Sequence, residues 1–222
     1  MIQERYWMKT NKEEILLIAL RLFAERGFEA VSTSMIASEL GITKGALYRH
    51  YKSKQEIFDS IIKKMFEQDE KQASDNSVPV KEYEEDAESY EQTSLSDLCE
   101  FVNNQYVYWT EDEFASAFRK MITLEQFKNE EMNKLYQDVL ASGPVKYTED
   151  LFREMIKNGQ LSNEAKEFGA RNLAIQLFAP LQLSIQLFDA NGERDRIKDD
   201  LRAITKEFEK RWSRNQTAKK GS

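Results

Sequence analysis

At 222 residues and 26.0 kDa, with 41% hydrophobic and 32% charged side chains, the chain suffices for one large domain or two small ones sharing a core, which excludes a disulfide-stapled miniprotein and a disordered tail. Only 8 glycines and 3 prolines leave little for turns and strand ends, so long helices are expected and an all-β fold is excluded. One cysteine (Cys99), one histidine (His50) and a net charge of -7 speak against a disulfide or zinc site, against histidine-dependent hydrolases and, at first sight, against nucleic acid.

The opening residues, MIQERYWMKTNKEE, have neither the apolar core nor the small-residue cleavage site of a signal peptide, so a cytoplasmic location is expected. Asn11 or Thr10 caps a first helix whose opening turn holds Glu13 and Glu14, where carboxylates meet the positive end of the helix dipole. Its apolar positions are Ile15, Leu16, Ala19, Leu22 and Phe23, and Gly27 stops it. A second short helix follows Ser32 or Thr33, turns Ile36, Ala37 and Leu40 inward and ends at Gly41. After Ile42 and Thr43 a third helix runs from Lys44 to about Tyr51. A fourth opens on the capping box Ser53 to Glu56 and carries the stripe Ile57, Phe58, Ile61, Ile62 and Met65.

The pattern fails over residues 72–94, acidic and poor in aliphatics, where a linker or partly disordered insertion is expected. Periodicity resumes at Leu95, Leu98, Val102 and Trp109, and again from Phe114 to Phe127. Further helices are predicted over Glu130 to Leu140 and Val145 to Lys157, separated by a Ser142-Gly143-Pro144 break. Asn163 or Ser162 then opens one long helix to Asp189, kinked at Pro180; its uncharged run is too polar and too short to cross a bilayer. Gly192 precedes a last helix, Glu193 to about Trp212, and residues 215–222 are expected to fray.

Two short helices joined through Gly41, Ile42 and Thr43 make a helix-turn-helix, the geometry that projects a second helix into the major groove while the first braces it. Thr43 caps that second helix, and the small Gly45 and Ala46 let its first turn approach a phosphate closely. Lys44, Tyr48, Arg49, His50 and Lys54 point outward as phosphate or base-edge contacts, while Leu47 and Tyr51 anchor inward. The acidity of the whole chain is no objection. Residues 1–64 hold 11 Lys and Arg against 8 Asp and Glu, and residues 65–97 hold 2 against 11, so the negative charge belongs to the middle of the chain.

The run from Leu22-Phe23 and Gly27 through Ile36-Ala37, Leu40-Gly41-Ile42-Thr43-Lys44-Gly45, Leu47-Tyr48 and Tyr51-Lys52-Ser53-Lys54 to Ile57-Phe58 resembles the TetR (tetracycline-repressor-like) transcriptional regulators. The resemblance implies DNA contacts at Thr33 on the second helix, at Thr43, Lys44, Gly45, Ala46, Tyr48 and His50 on the recognition helix, and at Lys54 on the fourth. Arg49 is added from its own outward position. Three departures stand out: Ala46 where a hydroxyl residue is common, Met35 where an acidic capping residue is common, and a longer acidic insertion.

The resemblance also implies a small-molecule effector cavity in the C-terminal helices. Its expected lining is Phe101, Gln105, Tyr106, Trp109, Phe118, Met121, Phe127, Tyr136, Tyr147, Phe152 and Met155, which suits a lipophilic or aromatic effector. Acids near these aromatics, among them Glu100, Asp112, Glu113 and Glu125, would suit a cationic lipophilic effector through charge and cation-π attraction, but solvated surface is the expected fate of each. Leu173, Leu177, Leu181, Ile185 and Phe188, together with Leu201, Ile204, Phe208 and Trp212, are expected at a four-helix homodimer interface.

The expected organisation is all-α: a three-helix helix-turn-helix domain over residues 1–52, a connecting helix over 53–71, the acidic segment 72–94, an effector-binding and dimerisation domain over 95–214, and a tail over 215–222. The expected function is a homodimeric regulator, a repressor, on a palindromic operator, released by a small molecule, with no catalytic residue, cofactor, metal or membrane. The alternative is a helical small-molecule-binding protein with lost or weak DNA recognition, motivated by Ala46 and Met35.

Overall fold

The computed structural model describes residues 11–214; the signal-peptide reading of the first residues and the fraying tail lie largely outside them. Among the described residues the chain forms twelve α-helices and an isolated antiparallel bridge between Leu161 and Ser213, all-α as expected. The head comprises α1 (Lys12–Arg26), α2 (Thr33–Glu39), α3 (Lys44–Leu47) and the start of α4 (Lys54–Asp75). Each helix begins where a short polar side chain takes a free backbone N–H: Asn11 from Glu14, Ser32 from Met35, Thr43 from Ala46 and Ser53 from Glu56. Ile15, Ala19, Leu20 and Phe23 of α1 pack with Ile36, Leu47, Ile57 and Ile61, all essentially without accessible surface. Phe28 stacks its edge between Phe23 and Phe58, closing this small core.

Two local expectations change here. The recognition helix is α-helical only to Leu47 and continues as a turn in which His50 and Tyr51 N–H groups both reach the Leu47 carbonyl. Glu56 returns its carboxylate to the Lys52 N–H rather than to the Ser53 N–H, so the fourth helix is capped reciprocally across one extra residue.

The body contains α5 (Ala87–Gln92), α6 (Leu95–Glu111), α7 (Glu113–Glu125), α8 (Glu130–Leu140), α9 (Ser142–Lys157), α10 (Asn163–Phe168), α11 (Ala170–Asp189) and α12 (Arg194–Trp212). α11 lies against α9, α6 and α12, and α6 is the central rod between α11, α12 and α7. α7 also packs along α1, which joins body to head. Residues 72–94, expected as a linker, are tied down: α4 runs on to Asp75, Tyr90 of α5 is buried, and Tyr147 donates to the Pro79 carbonyl at 2.9 Å.

The break expected at Ser142-Gly143-Pro144 falls one residue earlier, at Ala141. Gly143 and Pro144 fit the first turn of α9, where proline lacks only an N–H that has no intrahelical partner. The single helix predicted from Asn163 to Asp189 is instead two, because Gly169, at φ 89°, turns the chain between α10 and α11. The stripe expected at a dimer interface is corrected as well. Leu173, Leu177, Leu181, Ile185, Leu201, Phe208 and Trp212 are buried within the protomer itself, leaving Ile204 exposed and Phe188 half-buried. Periodicity identifies an apolar face but not which chain covers it.

Candidate nucleic-acid interface

The outward side of the head is built on the Thr43 cap, whose hydroxyl accepts from the Ala46 N–H at 3.1 Å and fixes the first turn of α3. Gly45 and Ala46 therefore occupy that turn as anticipated, and Thr43, Lys44 and Gly45 are all exposed. Tyr48 is exposed too, and its phenol oxygen lies 3.3 Å from the Thr33 hydroxyl, which joins the recognition turn to α2. The Lys44 ammonium stands 5.6 Å from the Tyr48 ring centroid. The Thr33 hydrogen bond, with the Lys44 charge behind it, holds the Tyr48 phenol below its ordinary range, outweighing partial desolvation. Arg49 is exposed and His50 half-buried beside it.

Lys54 is placed differently from the rest. Its ammonium donates to the Phe28 carbonyl at 2.7 Å and lies 4.2 Å from the Phe28 ring centroid, so it braces the α1–α2 turn from within the head. Thr43, Lys44, Gly45, Tyr48 and Arg49 are thus exposed on one surface, Thr33, Ala46 and His50 lie half-buried at its margin, and Lys54 is engaged behind it. A side chain with such an arrangement of hydroxyls and cations offers donors to phosphate oxygens and, from Arg49, a planar fork to a base edge.

The residues expected around an effector separate into three groups. Tyr106, Trp109, Phe118, Met121, Phe152 and Met155 are packed core. Phe127, expected to line the cavity, is 85% exposed because α7 ends at Glu125 and the chain turns outward there. Phe101, Gln105 and Tyr147 converge: the Phe101 and Tyr147 rings lie 6.5 Å apart, and Gln105 follows one turn after Phe101 on α6; Tyr136 is half-buried on α8.

Sequence reasoning missed three polar residues. Glu125, read as solvated surface, is buried, and its Oε1 accepts from the Phe28 N–H at 3.0 Å. Arg119, also buried, holds Asp189 through both guanidinium nitrogens and donates from Nε to the Trp109 carbonyl at 3.2 Å. Asp69 sits on α4 one turn after the buried Met65. The last lies at helical spacing from Ile57, Ile61 and Met65 but is exposed.

Comparison with known proteins bears on this geometry. Residues 11–61 match the family model described as bacterial regulatory proteins, tetR family. An HTH-type transcriptional regulator of Staphylococcus aureus strain USA300 is 28% identical over 194 residues, 84% of this chain and 97% of that one. The HTH-type regulator YerO of Bacillus subtilis strain 168 is 50% identical over 50 residues, a match that spans 22% of this chain and only 17% of that protein. Among solved structures, SmeT, described as the repressor of the Stenotrophomonas maltophilia multidrug efflux pump SmeDEF, superposes in its triclosan complex with a TM-score of 0.67. That match covers 92% of both chains at 18% identity, a likeness of fold.

Proposed function

We propose that this chain, which belongs to the TetR family of bacterial regulatory proteins, is a homodimeric repressor that grips a palindromic operator and is released by a small-molecule effector. The chain is a DNA-binding transcriptional regulator. The observation that carries the reading is the recognition turn. Lys44 and Arg49 face outward with no carboxylate paired to either among the described residues, beside the exposed Tyr48. Exposed cations without a carboxylate partner, one on the capped N-terminus of α3 and one just past its C-terminal end, suit a polyanion better than a protein core.

A second copy is supported by the outer face of α11, where Ile175, Leu183 and Leu187 are exposed at helical spacing, continued by Ile204 of α12. The dimer face proposed here is therefore the opposite side of α11 from the buried stripe. Release is supported by two routes from body to head: α4, which belongs to both, and α7, which packs on α1 and reaches the α1–α2 turn through Glu125. An effector that binds better when these elements are displaced shifts the population away from the DNA-competent form by that difference in affinity. A chromosomal operator places the protein in the cytoplasm. Among the described residues no helix is long and apolar enough to cross a membrane.

The test is footprinting of the purified protein on DNA from upstream of its own gene. A symmetric protected site whose affinity falls steeply with salt is expected. Sequence-independent binding, or none, overturns the reading in favour of a small-molecule-binding module.

A further inference from the structure

The DNA-reading part of the head is a stretch of chain closed at its base by one side chain. Lys54 is the first residue of α4, where the positive end of the helix dipole disfavours a cation and Glu56 is the acid of the same turn. A lysine there needs an acceptor, and it finds one 26 residues back. Its ammonium donates to the Phe28 carbonyl at 2.7 Å and to the Glu29 carbonyl at 3.4 Å, with the Phe28 ring centroid 4.2 Å away. The partners are neutral carbonyls, not carboxylates, and two of the three ammonium donors are engaged within the head.

Between Phe28 and Lys54 lies the whole helix-turn-helix: α2, α3 and the turn that carries Tyr48 and Arg49. The Phe28 end is itself fixed. Its ring packs against Phe23 and Phe58 at centroid distances of 5.2 and 4.9 Å, and Glu125 accepts its N–H at 3.0 Å. Its carbonyl also receives the N–H of the buried Val31 at 3.4 Å, which closes a turn. Ser32 follows and caps α2 by accepting the Met35 N–H, and Thr33 comes next, its hydroxyl 3.3 Å from that of Tyr48. A continuous path therefore runs from the Lys54 ammonium through Phe28, Val31, Ser32 and Thr33 to Tyr48 on the recognition turn. The loop is closed twice, at its base by Lys54 and across its interior by Thr33 and Tyr48.

We infer that Lys54 serves DNA recognition as a positioning residue: its ammonium, seated on the Phe28 carbonyl, closes the loop that carries α2 and α3 and sets their placement for base readout without itself touching a phosphate. This departs from the phosphate contact that the motif implies for Lys54. The two roles compete, because an ammonium held by two carbonyls over a ring surrenders those bonds to reach the duplex. They also differ in their effect on DNA. A phosphate contact adds affinity for any duplex and releases counterions. A residue that places base-reading side chains acts on the preferred sequence, since unrelated DNA is held through its phosphates. Only DNA binding by the chain is required here, neither symmetry of the operator nor release by an effector.

Two variants test this: Lys54→Met, which keeps an apolar stem and removes the ammonium, and Lys54→Arg, which keeps a donor. The probes are the duplex that the wild type enriches from a random-sequence pool and an unrelated duplex of the same length, each titrated at three salt concentrations. Lys54→Met is expected to bind the enriched duplex about tenfold more weakly and the unrelated one within about twofold of the wild type, with the salt slope unchanged on both. Lys54→Arg is expected to recover most of that loss. Amide exchange at Val31 and Thr33 is expected to accelerate in Lys54→Met while Ile15 and Ile61 keep their protection. A salt slope lower by about one per subunit, with equal losses on both duplexes, makes Lys54 a phosphate contact and overturns the positioning role. Equal losses at unchanged slope overturn it too, since fewer folded molecules alone would give that result, and so does full selectivity in Lys54→Met. A wild type that enriches no sequence from the pool removes DNA recognition itself and the role of Lys54 with it, whereas the other outcomes fall on Lys54 alone.

Discussion

Glu125 and Phe28 are 97 residues apart in sequence, and the carboxylate of one accepts the backbone N–H of the other at 3.0 Å. The contact joins the C-terminal end of α7 to the turn between α1 and α2, where Gly27 at φ 81° brings the backbone close; a Cβ on Gly27 would lie 3.0 Å from the same carboxylate oxygen. Lys54 donates to the Phe28 carbonyl from the other side, so both polar groups of that residue are held.

Replacing Glu125 by Ala leaves the Phe28 N–H desolvated and unpaired, which costs about 1 to 3 kcal/mol. Glu125→Gln keeps an acceptor oxygen and is expected to lose less than half as much. Urea unfolding measures both, and amide exchange at Phe28 is expected to accelerate in Glu125→Ala ahead of the head core. An unchanged Phe28 exchange rate would show that the contact holds nothing.

How much of this was legible in the sequence depended on the range of the interaction. Caps are local, so Asn11, Ser32, Thr43 and Ser53 were readable from a residue and its third neighbour, and with them the helices of the head. Gly169 was missed because a glycine inside a helical pattern reads as a tolerated interruption until its positive φ is seen. Glu125 and Arg119 were missed for a different reason. Each is a charged residue whose partner is distant in the chain, and periodicity assigns charge to the outside. Lys54, placed on the DNA surface by its motif, is drawn inward by a carbonyl 26 residues away.

Gly143 tests the packing of α8 on α9. A Cβ there would lie 2.0 Å from the Asp138 carbonyl oxygen and 2.7 Å from its carbon, backbone atoms that no rotamer change can move aside. Gly143→Ala is expected to destabilise by about 3 kcal/mol, at the upper end of overpacking costs. Gly41→Ala is the comparison: at φ 67° with open space around it, it is expected to lose about 1 kcal/mol through backbone strain alone. Equal midpoints in urea for the two variants would contradict the steric assignment.

At the recognition turn, Lys44→Ala is expected to weaken binding to operator and to unrelated DNA alike, lowering the salt slope by about one per subunit. Arg49→Ala is expected instead to lose about 1 to 3 kcal/mol on operator and little elsewhere. Tyr48→Phe removes the oxygen that meets Thr33, and a modest loss of affinity with unchanged salt dependence is expected. Titrations at three salt concentrations distinguish these patterns, and identical slopes for Lys44→Ala and wild type would remove Lys44 from the phosphate contacts.

The two sides of α11 make opposite predictions. Leu183 is 57% exposed and Leu177 is fully buried. Leu183→Glu is expected to yield a folded monomer by sedimentation velocity, with unfolding that no longer depends on protein concentration. Leu177→Ala is expected to retain dimerisation while losing about 2 to 5 kcal/mol of stability. A Leu183→Glu protein that sediments as a dimer would move the interface elsewhere.

Arg119 and Asp189 fasten the other face of α7. The guanidinium meets the carboxylate at 2.5 and 2.8 Å in a bidentate pair, with Arg119 side-chain exposure of 6% against 37% for Asp189. A buried pair of this kind is a weak source of net stability, because desolvating the guanidinium offsets most of the attraction, but removing one partner leaves the other charge stranded. Asp189→Ala is therefore expected to cost about 3 kcal/mol, the low end of the range because Asp189 is part-solvated. Arg119→Met combined with Asp189→Leu is expected to unfold within about 1 kcal/mol of the wild type, since the long apolar side chain fills the same space without a charge. The double variant also separates stability from signalling. Asp189 closes α11, next to Phe188 and the α11–α12 turn, and α7 carries Glu125 at its far end, so the pair ties the body to the element that reaches the head. A double variant that folds normally but is no longer released from DNA by an effector would assign the ion pair to transmission; normal release would confine it to holding α7 in register.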